Sequence, residues 1–132
     1  MGLLWKKSQT LSSPNFDVTF KNWPILFTNL LFSQKLVKIT WYGSKYHGNK
    51  TASGEIFNKN KLTCAAGNQY KFGQLLQLYN PVNGKSVIVK VTDRGEFEKY
   101  GIHLDLSEEA FKQLSNLRNG IIKITVKKLN NE

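Results

Sequence analysis

Few chains have a choice at Asn80-Pro81-Val82-Asn83-Gly84-Lys85: the backbone must reverse there, because Asn-Gly supplies the positive φ angles that a hairpin turn demands. The segments on either side fit. Ser86-Val87-Ile88-Val89-Lys90-Val91-Thr92 puts Val87, Val89 and Val91 on one face at a period of two, and Gln74–Tyr79 follows Gly73 as its partner strand. Three more runs read as strands: Leu36–Tyr42, rich in β-branched and aromatic residues, the short Leu62–Ala66, and the alternating Ile121–Lys127. Asp105–Leu114 reads as one short helix, capped by Ser107, with Leu106, Ala110, Phe111 and Leu114 along one face. Several strands, strong turns and one helix predict a mainly β barrel or sandwich.

Residues 1–35 are of another kind. They show no clean period, and Pro14 and Pro24 interrupt them, so an irregular N-terminal extension is expected ahead of a patterned domain over 36–132. The apolar stretch Trp23–Phe32 lacks a small-x-small cleavage pattern, so no clear signal peptide is read. It also falls well short of the ~20 residues that span a bilayer. Its expected role is packing on the domain or docking a protein partner.

A chain of 132 residues is one domain's worth, and its formal charge of +10, from 19 Lys and Arg against 9 Asp and Glu, favours an anionic partner. Because no run of Lys or Arg exceeds two residues, nucleic acid is the less favoured anion. Cys64 is the sole cysteine, which excludes an internal disulfide and a cysteine-built zinc site. His47 and His103 stand isolated in sequence, so no metal site and no cofactor is expected.

The candidate chemistry lies in two carboxylates. Asp93, in Thr92-Asp93-Arg94-Gly95, sits at the end of the clearest strand, where it can either project into a cleft or cap the turn and pair with Arg94. Glu55, in Thr51-Ala52-Ser53-Gly54-Glu55, is a candidate acid/base partner for it. Trp41, Tyr42 and Tyr46 offer faces on which sugar rings stack, or else serve the core.

An ordered set of short motifs carries a resemblance. Trp41-Tyr42-Gly43, Tyr46-His47-Gly48, Thr51-Ala52-Ser53-Gly54-Glu55, Leu62-Thr63 and Phe72-Gly73 are followed by Asn83-Gly84-Lys85-Ser86-Val87, Asp93-Arg94-Gly95 and Asp105-Leu106-Ser107. Over about residues 39–129 the chain resembles the rare lipoprotein A family of double-psi β-barrels, related in fold to the expansins. The resemblance implies a six-stranded double-psi β-barrel with a groove across one face and, as in characterised members, lytic cleavage of peptidoglycan glycan strands. It implies Asp93 as the acid and Glu55 as its helper; the candidate substrate contacts are Trp41, Tyr42, Tyr46, His47 and Arg94. A cell-envelope or extracellular location goes with that family.

Two departures stand out. The family's His after its Leu-Thr-Ala-Ala is Ala66 here, with the following loop one residue longer, and the Pro after Asp-Arg-Gly is Glu96. A lost imidazole lowers a rate by roughly 10²–10⁴ where it handles a proton. Three readings follow: a lytic transglycosylase, a non-catalytic expansin-like polysaccharide binder, or a structural barrel in a larger assembly.

Overall fold

The computed structural model describes residues 35–95 and 97–130, so the N-terminal extension, Lys35 apart, lies outside the described residues. Six strands form a closed barrel: β1 Val37–Tyr42, β2 Thr63–Ala66, β3 Leu75–Asn80, β4 Lys85–Arg94, β5 Ile102–Ser107 and β6 Ile122–Lys128. Their order around the wall is β1-β5-β2-β4-β3-β6. β1 runs parallel to β5 and β2 parallel to β4, while the other four neighbours are antiparallel. Closure leaves no sheet edge exposed.

Alternation fixes which side chains fill the interior. Val87, Val89 and Val91 of β4 point inward as their spacing predicts, joined by Leu76 and Leu78 of β3 and by Ile39, Leu104, Leu106 and Ile124. The hairpin forms where the turn residues demand it, but Asn80 pairs with Lys85, so the connection is the four residues 81–84. Gly84 carries the positive φ of +78° and donates its N–H to the Asn80 carbonyl at 2.8 Å. The Asn83 side chain accepts from the Lys85 N–H and donates to the Leu114 carbonyl, tying the turn to the segment after the helix.

One region departs from the sequence reading. The helix α1 is only Glu108–Lys112, and Asp105, expected at its start, belongs to β5. Ile102, Leu104 and Leu106 point inward there, while His103 and Asp105 face outward. The buried Ser107 joins the two elements. Its Oγ donates to the Lys61 carbonyl at 2.6 Å and accepts the Ala110 N–H at 3.3 Å, the bond that caps α1. Phe111 and Leu114 then enter the barrel core.

Candidate active site

The site is built by a row of residues running across four strands. Ala65 of β2 pairs with Asp105 of β5 on one side and with Asp93 of β4 on the other, and Thr40 of β1 pairs with Asp105. Paired residues in a sheet project to the same face, so both carboxyl groups rise on the outer side of the wall. Two strand spacings put their Cα atoms roughly 10 Å apart. Between them stands only a methyl group, Ala65, which leaves room above it.

A β-bulge makes this possible. Cys64 pairs with Val91, but Ala65 pairs with Asp93, so Thr92 is an extra residue in β4. Without it, strict alternation would aim Asp93 at the barrel interior; the bulge turns it outward to face the same way as Asp105.

The Thr51–Glu55 segment folds as a clip on Asp93. The Ala52 N–H donates to Asp93 Oδ1 at 3.0 Å, and the Arg94 N–H donates to the same oxygen at 2.9 Å. The clip holds itself closed, with the Thr51 N–H and hydroxyl both donating to the Glu55 carbonyl and the Ser53 N–H donating to the Thr92 carbonyl. Asp105 is supplied differently. Its Oδ1 accepts the Thr40 hydroxyl at 2.8 Å. Burial raises its pKa above the usual carboxylate value, opposed by that hydrogen bond and reinforced by the negative charge of Asp93.

A cavity of about 310 Å³ covers the row, lined among others by Tyr42, Tyr46, Lys50, Asp93, Arg94 and Asp105. A second hollow of about 480 Å³, reaching Asn68, Glu98 and Lys99, shares Arg94 and Gly95 with it, so the depression continues as a groove. Arg94 forms the join. Its guanidinium lies 4.1 Å over the Phe72 ring and donates to the Tyr70 carbonyl at 2.8 Å, which holds its charge at the groove floor. The Tyr70 hydroxyl in turn is 2.8 Å from His103 Nε2.

Four of the seven residues expected at the site therefore meet in the cavity: Asp93, Arg94, Tyr42 and Tyr46. The other three lie elsewhere. Glu55 forms an ion pair with Lys90 at 3.1 Å, and the segment ending in Glu55 acts on Asp93 through the Ala52 backbone. Trp41 packs against Phe111 and donates its Nε1–H to the Leu117 carbonyl at 3.1 Å, so it serves the helix interface. His47 Nδ1 accepts the Lys59 N–H at 3.2 Å and does not line the cavity. Ala66, where the family's His would stand, is fully buried in the core, and its carbonyl accepts from Arg94. Asp105 and Thr40 do not stand out as site residues in the sequence; pairing across β1 and β5 brings them there. The alternation Ile102-His103-Leu104-Asp105-Leu106 was the available signal, outweighed by the capping pattern that follows it.

A closed six-stranded wall with two parallel pairs defines a double-psi β-barrel. Its outward carboxylate pair and groove give this barrel a site suited to a polymer. The chain belongs to the lytic transglycolase family, whose model it matches over residues 35–126. It is 49% identical over 90 residues to the probable endolytic peptidoglycan transglycosylase RlpA of Aquifex aeolicus, an alignment covering 68% of this chain and 39% of that protein. With the endolytic peptidoglycan transglycosylase RlpA of Rickettsia felis it shares 42% identity over 96 residues, 70% of this chain and 41% of the relative. The chain thus spans about two fifths of these relatives' length. Among solved structures, a mutant Clavibacter michiganensis expansin in complex with cellohexaose superposes with a TM-score of 0.60 at 27% identity, covering 75% of this chain and 52% of that one.

Proposed function

We propose that the barrel cleaves peptidoglycan glycan strands as a lytic transglycosylase, with Asp105 as the acid and Asp93 as the accepting carboxylate. The observation that carries this reading is the row Asp105–Ala65–Asp93, two carboxyl groups of unlike surroundings under one groove. In this reading Asp105 rather than Asp93 is the acid, and Asp93 rather than Glu55 is its partner. Burial favours the protonated form of Asp105, which is what a general acid requires. Asp93 Oδ1 is already committed as an acceptor to two N–H donors, which holds the group oriented to take a proton on its other oxygen.

In the reaction, Asp105 passes its proton to the glycosidic oxygen as the bond to the anomeric carbon breaks. A hydroxyl of the same sugar attacks that carbon, closes the anhydro ring and gives its proton to Asp93. No water is consumed, and the proton on Asp93 returns to Asp105 before the next turnover. Tyr46, exposed at the cavity mouth, offers its ring to a sugar face. A substrate of this kind belongs to the cell envelope.

The relatives, one an endolytic peptidoglycan transglycosylase and the other a probable one, support the substrate class. The replacement of the family's His by Ala66 favours the second reading, a groove that binds polysaccharide without turnover. Incubating the protein with purified peptidoglycan and searching for 1,6-anhydro muropeptides by mass spectrometry separates the two. Wild type is expected to make them, and Asp93→Asn and Asp105→Asn to make none. A wild type that sediments with peptidoglycan yet releases no anhydro product is a binder.

A further inference from the structure

A third hollow, of about 550 Å³, lies beyond the two that form the groove, lined among others by Lys38, Glu98, Gly101, His103 and Lys123. Glu98 also lines the second hollow, so the depression runs on from Arg94 and Gly95, past Glu98, to the first residues of β1, β5 and β6. Lys38 pairs there with Ile102, three residues along β5 from Asp105. That is about 10 Å at the rise of a strand, within the span of the next sugars of a glycan whose bond lies at Asp105.

The sheet forces two like charges together in this hollow. Lys38 of β1 and Lys123 of β6 are direct antiparallel partners, and the flanking pairs Val37–Ile124 and Ile39–Ile122 turn to the core. The two lysines therefore rise side by side on the outer face, with Cβ atoms roughly 5 Å apart. Like charges directly opposite each other destabilise a sheet, and neither lysine has an ion-pair partner among the described residues. A third ammonium group reaches the same place. Burial lowers the pKa of His103, Glu98 opposes this, and the charge of Lys35 adds to it. Glu98, the one acid lining the hollow among the described residues, has its Oε2 engaged by the Gln69 side chain at 3.1 Å. A Gln or Thr would serve either strand position as well as Lys does, so the paired ammonium groups fit an anion above them.

We propose that this hollow is a distal subsite of the groove, in which Lys38 and Lys123 together hold a carboxylate borne by the glycan. The subsite rests on the peptidoglycan reading above. A carboxylate between the two ammonium groups relieves their repulsion and gains a charge-assisted hydrogen bond from each. Peptidoglycan offers that group from two sources: the lactyl carboxylate on alternate sugars where no peptide is attached, and the carboxylates of an attached peptide. Chitin, built of N-acetylated sugars alone, offers neither.

The test compares three ligands of equal length by titration calorimetry at about 0.1 M salt: chitohexaose, a peptide-free peptidoglycan oligosaccharide, and one still carrying its peptides. Asp105→Asn serves as the parent throughout, so that the ligands stay whole. The parent is expected to bind at least one carboxylate-bearing ligand about tenfold more tightly than chitohexaose, and which one identifies the source. Adding Lys38→Gln and Lys123→Gln should erase that preference, leave chitohexaose binding unchanged and leave the melting temperature equal or higher. Adding Lys127→Gln and Lys128→Gln instead removes the same charge further along β6 and should keep the preference. A parent that binds all three ligands alike, or none, overturns the subsite. So does a preference that survives loss of Lys38 and Lys123, or one that falls equally with Lys127 and Lys128. Because the titrations need no turnover, the two readings fail separately. Anhydro product from wild type without a carboxylate preference overturns the subsite alone, and a preference without product leaves a binder that reads the carboxylate.

Discussion

Asp105 is where burial and chemistry pull against each other. Its pKa in the folded protein lies above the unfolded value near 3.9, mainly because burial disfavours the charge. Between those two values the folded state binds more protons than the unfolded one. Stability is therefore fully present at acid pH and is lost as pH rises through that window. Asp105→Asn keeps an oxygen for the Thr40 hydroxyl but carries no charge to desolvate. The variant is expected to melt above wild type at neutral pH, with the gap closing toward pH 3. Melting curves across that range check it; a variant less stable than wild type at pH 7 contradicts the electrostatic account. The same substitution should abolish anhydro product, so stability and activity move in opposite directions.

At the scale of elements, turns and bulges determine more than the strands they interrupt. Gly84 sits at φ +78° with open space where a Cβ would stand, so only backbone strain resists substitution there. Gly84→Val is expected to destabilise the barrel by roughly 1–3 kcal/mol, while Gly84→Asn loses about 1 kcal/mol or less because Asn tolerates that region. Equal melting temperatures for the two variants would remove the argument. This hairpin was legible because Asn83-Gly84 and the valine alternation agree, although its connection is four residues long. β5 was not. Its alternation runs straight into the Ser107 cap and the acids of α1, so the helical pattern reads backward over Asp105 although that residue lies in a strand. The sixth strand came only with the family resemblance. The bulge at Thr92 leaves no local mark either: Val91-Thr92-Asp93 reads as an unbroken strand end, and only pairing with β2 shows that Asp93 has changed sides. Trp41 and Tyr42 are adjacent aromatics that composition cannot separate, yet Trp41 packs on Phe111 and Tyr42 lines the cavity.

For the whole molecule, a formal charge of +10 and a groove make separable contributions to polymer binding. Exposed charges act over about 10 Å at 0.1 M salt and about 3 Å at 1 M, so their shared attraction fades as salt is added. Ring stacking in the groove is short-ranged and largely indifferent to salt. Sedimentation with insoluble peptidoglycan is therefore expected to weaken between 0.1 and 1 M salt and then level off, with a residual fraction still bound. Tyr46→Ala should remove that residue without moving the melting temperature, since Tyr46 is 44% exposed and lies at the cavity rim. Trp41→Ala should do the reverse: it empties a site against Phe111, removes one of the two donors to the Leu117 carbonyl, and lowers the melting temperature first. Binding that vanishes entirely at high salt, and that ignores Tyr46, would assign the whole attraction to charge and leave the groove without a polymer in it.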